Sequence, residues 1–141
     1  MAKYSPALIE LMNMKQENGR NKYPTVPDYA RPKAKYSTTD ANGLTKAIVE
    51  YIDLSGGWAT RISVEGRYIE SLKKRIPSSV KKGTADIHAV WKGYHLSIEV
   101  KIGKDKQSDE QRAVQKSVTD AGGYYFIATT FESFHQWFQT I

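Results

Sequence analysis

The chain has 141 residues, 40% of them hydrophobic, which is one domain's worth and enough for a core of its own. No apolar run approaches the roughly 18 residues of a membrane span, and no charged-apolar-small leader opens the sequence, so a soluble intracellular protein with no membrane partner is expected. The absence of cysteine excludes a disulfide framework and thiolate zinc sites, and a net charge of +6 favours a polyanionic partner.

Residues 1–39 hold four of the five prolines, with Tyr4, Tyr23, Tyr29 and Tyr36 set among lysines and arginines. Ser5 to Lys15 (SPALIELMNMK) predicts a short helix with Ser5 as N-cap and Pro6 at the first position. From Asn18 to Tyr36 the prolines and polar residues predict an extended arm, which either lies along nucleic acid, embraces a second subunit or is a mobile tail. The domain proper then occupies residues 40–141. Thr39-Asp40 opens a helix reaching Leu54, with Leu44, Ala47, Ile48, Tyr51 and Ile52 at helical spacing and Gly56-Gly57 as its stop. Trp58 to Val64 alternates as a strand, with Thr60, Ile62 and Val64 on one face. Ala59, Arg61 and Ser63 take the other, from which Arg61 would reach a phosphate. Residues 66–82 read as a basic loop carrying Arg67, Lys73, Lys74, Arg75, Lys81 and Lys82, with Pro77-Ser78-Ser79 breaking any regular pattern. Between Trp58 and Lys82 seven Lys/Arg stand against two Asp/Glu, whereas residues 108–141 hold two against four. A basic stretch is often only a solvated face; its position just upstream of Asp86 favours phosphate-backbone contact.

Residues 83–101, GTADIHAVWKGYHLSIEVK, read as two strands joined by a tight turn at Lys92-Gly93. Leu96, Ile98 and Val100 share a face suited to a core; His95, Ser97, Glu99 and Lys101 share the other. On the preceding strand Asp86 and His88 lie opposite Ile87, Ala89 and Trp91, so folding at Gly93 brings Asp86 beside Glu99 and Lys101. Two carboxylates and a lysine on a sheet face suit a hard cation such as Mg²⁺, which keeps several waters and completes its shell from substrate phosphate. Lys101, about 7 Å along the strand from Glu99, is placed to hold a water or neutralise charge on a transition state. The blander reading is a surface Glu99–Lys101 ion pair with Asp86 as a cap, and for an isolated motif it is the commoner one. His88 and His95 on the side of Asp86 suggest a histidine metal site, but with no HExxH pattern they read as polar-face residues.

Beyond the hairpin, Gly103-Lys104 lacks the earlier glycine and following Ser/Thr of a phosphate loop, so Lys104 and Lys106 read as backbone-facing charges. Ser108 to Gln111 is a capping box opening a helix to about Ala121, with Gln111, Val114, Gln115 and Val118 along one face and Gly122 as its stop. Tyr124 to Ala128 is an apolar strand expected in the sheet interior. Thr130 caps a last helix whose Phe131, Phe134, His135 and Phe138 form a core stripe, with Glu132 complementing its dipole.

Asp86, twelve intervening residues, then Glu99-Val100-Lys101 resembles the core of the PD-(D/E)xK nucleases. The wider pattern, Lys82-Gly83-x-x-Asp86, Ile98 to Lys101, Ser108-x-x-Gln111 and Ala121-Gly122-Gly123, is similar to the VRR-NUC branch, related to Holliday-junction resolvases. The resemblance covers about residues 83–130 well and 40–65 loosely, and Thr84-Ala85 stands where the family name has a proline. It implies an α/β, restriction-endonuclease-like αβββαβ core, a mixed sheet flanked by helices, with an added C-terminal helix and the N-terminal arm. It further implies a metal-dependent DNA endonuclease of phage or mobile-element type, acting on branched DNA in the cytoplasm of a bacterium or infected cell. Asp86, Glu99 and the Val100 carbonyl would hold Mg²⁺ or Mn²⁺, Lys101 would position the attacking water, and Gln111 would assist. Glu50 is the family's candidate for a third acidic ligand, although the helical wheel sets it off the apolar stripe, where it would simply be solvated. Two-fold symmetric cutting would call for a homodimer, which no stretch announces. The alternative is a non-catalytic nucleic-acid-binding or assembly protein on the same fold; the presence of Asp86, Glu99 and Lys101 together speaks against it.

Overall fold

A computed structural model describes residues 3–63 and 67–141. Along the chain it forms α1 (Pro6–Lys22), α2 (Ala41–Leu54), β1 (Trp58–Arg61), β2 (Arg67–Ile69), β3 (Lys74–Ile76), β4 (Ile87–Trp91), β5 (Tyr94–Val100), α3 (Asp109–Asp120), β6 (Tyr124–Ala128) and α4 (Phe131–Phe138). Strands β1, β4, β5 and β6 make one sheet in that order, antiparallel at the first two junctions and parallel between β5 and β6. The fold is thus α/β with a mixed sheet. Lys92 and Gly93 both adopt positive φ, 51° and 82°, the twist that a two-residue hairpin between β4 and β5 requires.

Alternation along these strands then divides the molecule. Ala59, Ile87, Ala89, Leu96, Ile98, Val100 and Ala128 form one face, and they share a single buried cluster with side chains of α1, α2 and α4. From α2 come Leu44, Ala47, Ile48, Tyr51 and Ile52, and from α4 Phe131, Phe134 and Phe138, as their spacing predicts. Asp40 caps α2 through the Gly43 amide, and Thr130 and Ser133 cap α4 reciprocally. The opposite face carries His88, Ser97, Glu99 and Tyr125, and α3 packs on that side, touching β6.

Four expectations need correction. The first concerns residues 18–36. Helix α1 continues past Lys15 to Lys22, and Leu8 and Leu11 are buried in the common core, so this segment is not an extended arm along its length. The polar run Gln16–Lys22 has little helix signal of its own; Arg31 returns to donate hydrogen bonds to the Gly19 and Tyr23 carbonyls, which the end of a helix leaves unsatisfied. Tyr36, placed in the arm by its sequence context, is buried as well. Second, β1 ends at Arg61, and Val64 lies outside the described residues. Third, the expected basic loop contains the antiparallel pair β2–β3, with Lys73 in the left-handed region (φ 48°) at its turn, while Gly66 lies outside the described residues. Fourth, β6 lies at the edge of the sheet, paired with β5 alone among the described residues. Among the described residues no helix is long and apolar enough to cross a membrane.

Leu11, 0% exposed on α1, provides the test of that first correction. Leu11→Ala should lower unfolding free energy by about 2–5 kcal/mol in urea denaturation, the usual range for a buried leucine. An unchanged midpoint would return residues 6–22 to the status of a tail.

Candidate active site on the polar face of the sheet

Asp86 stands one residue before β4 and joins both neighbouring strands. Its carbonyl accepts the Ile62 amide (2.7 Å) on the β1 side, and its carboxylate Oδ2 accepts the Val100 amide (2.8 Å) on the β5 side. The side chain therefore takes the ladder hydrogen bond that a longer β4 would have taken, which brings its carboxylate to Glu99.

Glu99 is 3% exposed. Its Oε1 accepts from Gln111 Nε2 (2.8 Å) and lies 3.5 Å from Lys101 Nζ. Its Oε2 is buried and meets no hydrogen-bond donor among the described residues, with the Asp86 carboxyl as its acidic neighbour. Burial, then the charge and hydrogen bond of Asp86, push the Glu99 carboxyl up to about 7; Lys101 pulls the other way.

Gln111 serves both roles that its sequence position suggests. Its Oε1 accepts the Ser108 amide and its own amide donates to Ser108 Oγ, closing the capping box, while Nε2 holds Glu99. The start of α3 is pressed onto the loop before Asp86 at Gly83. There φ is +88°, and a Cβ would stand 2.4 Å from the Glu110 carbonyl oxygen, so glycine alone fits. Lys82 pairs with Glu110 (3.1 Å) across the same contact.

Two further groups line this face. Tyr125 and His88 lie on either side of Ser97 in the sheet register, and Glu99 follows two residues along β5. The Tyr125 hydroxyl and His88 Nε2 are, with Glu99 Oε2, the three buried side-chain polar atoms without a partner among the described residues. An unsatisfied buried group costs about 1–3 kcal/mol, so three on one face mark a place where water or a ligand belongs. Gln107, whose amide nitrogen donates to Gln115 (2.8 Å), also lies close enough to the Tyr125 oxygen to favour its ionised form. Burial raises the Tyr125 phenol above its ordinary value, the charges of Glu99 and Asp86 add to this, and Gln107 pulls the other way. The His88 and His95 rings meet edge to face at 5.1 Å, and His95 Nε2 contacts Ser97 Oγ (2.9 Å). Burial lowers both histidines, His88 also through His95, which keeps them neutral at pH 7.

Asp86, Glu99, Val100, Lys101 and Gln111 are thus brought together. Glu50 is not among them: on α2, its carboxylate is held by Lys15 Nζ (3.1 Å) and the Tyr36 hydroxyl (2.5 Å). Arg61 is also elsewhere, because its register partner is Ile87 and its side chain starts from the core face, away from Glu99. Lys81 and Lys104 are exposed at the two chain segments flanking the carboxylates. Lys73, Lys74 and Arg75 lie on the β2–β3 hairpin; Arg67 begins β2, with its side chain outside the described residues. No group of three His, Cys, Asp or Glu side chains is gathered for a metal among the described residues. Tyr125 was hidden within an apolar strand. The signal for it is parity, since Tyr125 and Ile127 must face opposite to Tyr124, Phe126 and Ala128.

In comparisons with known proteins, no family model matches the chain and no curated protein matches it.

A carboxyl that titrates near 7 when folded and near 4.5 otherwise is disfavoured in its ionised form by folding, so its contribution falls as pH rises from about 4.5 to about 7. In EDTA, Glu99→Gln should remove this fall. Its stability relative to wild type should improve by on the order of 2 to 3 kcal/mol between pH 4.5 and pH 8, read by urea denaturation. A difference independent of pH would show that burial does not shift this carboxyl.

Proposed function

We propose that this chain is a metal-dependent DNA endonuclease with a restriction-endonuclease-like, PD-(D/E)xK arrangement, hydrolysing phosphodiester bonds of branched DNA. The observation that carries this reading is the buried Glu99–Asp86 pair, with one carboxylate oxygen unpartnered and Lys101 and Gln111 beside it. An all-oxygen set of two carboxylates fits a hard divalent cation, Mg²⁺ or Mn²⁺, which Asp86, Glu99 and the Val100 carbonyl would hold. Such an ion, when bound, stabilises negative charge on the phosphate and the leaving oxygen.

The chain's own residues supply the rest. Gln111 fixes the Glu99 side chain, and Asp86 is held by the Val100 amide, so the carboxylates are oriented before substrate arrives. Lys101, 16% exposed, offers its ammonium to the attacking water and to charge developing on the phosphate. The Tyr125 O–H is a buried donor with no acceptor among the described residues, suited to a phosphate oxygen. Lys81, Lys82 and Lys104, with Lys73, Lys74 and Arg75 on the hairpin, would contact the DNA backbone without reading sequence. Arg61 is left out of that surface. Symmetric cutting of a junction would engage a homodimer.

A second reading has its own support. The Asp86–Val100 hydrogen bond completes the sheet whether or not an ion binds, as a non-catalytic nucleic-acid-binding or assembly module would need. Cleavage of labelled linear, single-stranded, flapped and four-way-junction DNA in Mg²⁺, Mn²⁺ or EDTA separates the two. Metal-dependent cutting is expected, strongest on the branched substrates and reduced at least about 100-fold by Asp86→Ala or Lys101→Ala. Tyr125→Phe should cost about 10- to 100-fold, the scale of one lost donor to a transition-state oxygen. Salt-sensitive binding with no cutting in any metal would leave the binding module standing.

A further inference from the structure

Helices α1 and α2 pack on the sheet face opposite Glu99, and between them and the segment 23–36 lies a groove of about 490 Å³. Nothing in the phosphodiester chemistry uses it. Its walls are apolar, formed by Val26, Pro32, Ala34 and the rings of Tyr23 and Tyr36. Three lysines, Lys33, Lys35 and Lys46, stand on its rim, exposed and without an ion pair among the described residues. A single carboxylate, Glu50, reaches into this lining, flanked by Lys15 and the Tyr36 hydroxyl.

The groove is built without a ligand. The Arg31 side chain, 10% exposed, donates to the carbonyls of Gly19 (2.9 Å), Tyr23 (2.9 Å) and Val26 (2.5 Å) and to Asp28 (3.0 Å). Those bonds clamp residues 23–31 onto the end of α1 and use nearly all of the guanidinium's donors, so Arg31 shapes the wall and leaves recognition to the lysines.

Three chemistries therefore meet in one cleft: a flat apolar wall with a half-exposed tyrosine, a cationic rim, and one carboxylate. An inorganic anion has no use for the wall. A fatty acid has no use for Glu50, which would repel its headgroup if the two approached. A divalent cation would face several lysines against one carboxylate. A nucleotide matches all three, with a base face for the apolar wall, ribose hydroxyls for a carboxylate and a phosphate for the lysines. The volume lies within the usual 300 to 1,000 Å³ or so of small-ligand pockets. We infer that this groove binds a free nucleoside 5′-monophosphate, with its base against Tyr23 and Val26, its ribose hydroxyls on Glu50 and its phosphate among Lys33, Lys35 and Lys46. The assignment does not rest on the nuclease reading, and it gives Glu50 a use that the carboxylate pair does not.

Calorimetric titration of the full chain with AMP, GMP, CMP and UMP, beside adenosine, inorganic phosphate and a single-stranded octanucleotide, tests it. At least one monophosphate should bind 10-fold or more tightly than adenosine or phosphate alone. Lys46→Glu and Lys33→Glu, both at exposed positions, should weaken it at least 10-fold, and Tyr23→Ala and Glu50→Gln should weaken it measurably. Asp86→Ala and EDTA should leave it unchanged, which separates this groove from product binding at the sheet. The inference is overturned by the absence of monophosphate binding, by phosphate binding equally well, or by binding that only the octanucleotide shows. Insensitivity to the lysine variants, or loss with Asp86→Ala, would overturn it too.

Discussion

The hydrogen bond from the Val100 amide to the Asp86 carboxylate holds the polar face of this protein in order. Strand β5 runs further than β4, and at its far end an amide facing β4 would have no strand to meet. Asp86 fills that place with a side chain, and the same act sets one carboxylate against another that is almost fully buried. Glu99 cannot turn away to water, because Gln111 holds it from above and the sheet surrounds it. The register behind this is strict. A slip of β5 by one residue against β4 would carry Glu99 into the core and bring Ile98 to the polar face, so the positive-φ turn at Lys92-Gly93 protects the site as much as the fold.

The two sides of the sheet are consequently under different demands. On one, α1, α2 and α4 bury a continuous apolar cluster that contributes most of the stabilisation through area removed from water. On the other, three buried polar atoms lack a partner among the described residues, an arrangement that costs stability. Gln111 links the two demands, since one side chain closes a helix cap and orients a carboxylate. The proposed nuclease chemistry draws on the polar side alone. The proposed nucleotide groove lies across the sheet from it, where the first helix and the chain that follows it make a wall of their own.

Much of this was legible in the residues. Asp40, Ser108 and Thr130 announce their helices through capping chemistry, and each caps as expected. Period-2 alternation puts Glu99 and Lys101 on one face and Leu96, Ile98 and Val100 on the other, and a tight turn at Gly93 brings Asp86 to them. What escaped depended on contacts distant in sequence. The second half of α1 is polar and contains Gly19, so its propensity is poor; Leu8, Leu11 and the returning Arg31 hold it in place. Alternation said that Arg61 and Ala59 share a face but not which face the core would claim, and Ala59 went inward. Tyr125 looked like one more aromatic in an apolar strand until its register with Ser97 placed it on the polar side.

The most direct measurement is calorimetric titration of the apo protein with Mn²⁺ at pH 7, in buffers of different ionisation enthalpy, for wild type and Glu99→Gln. If the Glu99 carboxylate is a cation ligand, the ion must displace the proton that burial favours on it. Saturable binding with proton release is then expected, weakened at least 10-fold in the variant. Absence of binding, or binding of equal strength in the variant with no proton released, would contradict the assignment of Asp86 and Glu99 as a metal site and the nuclease proposal that rests on it.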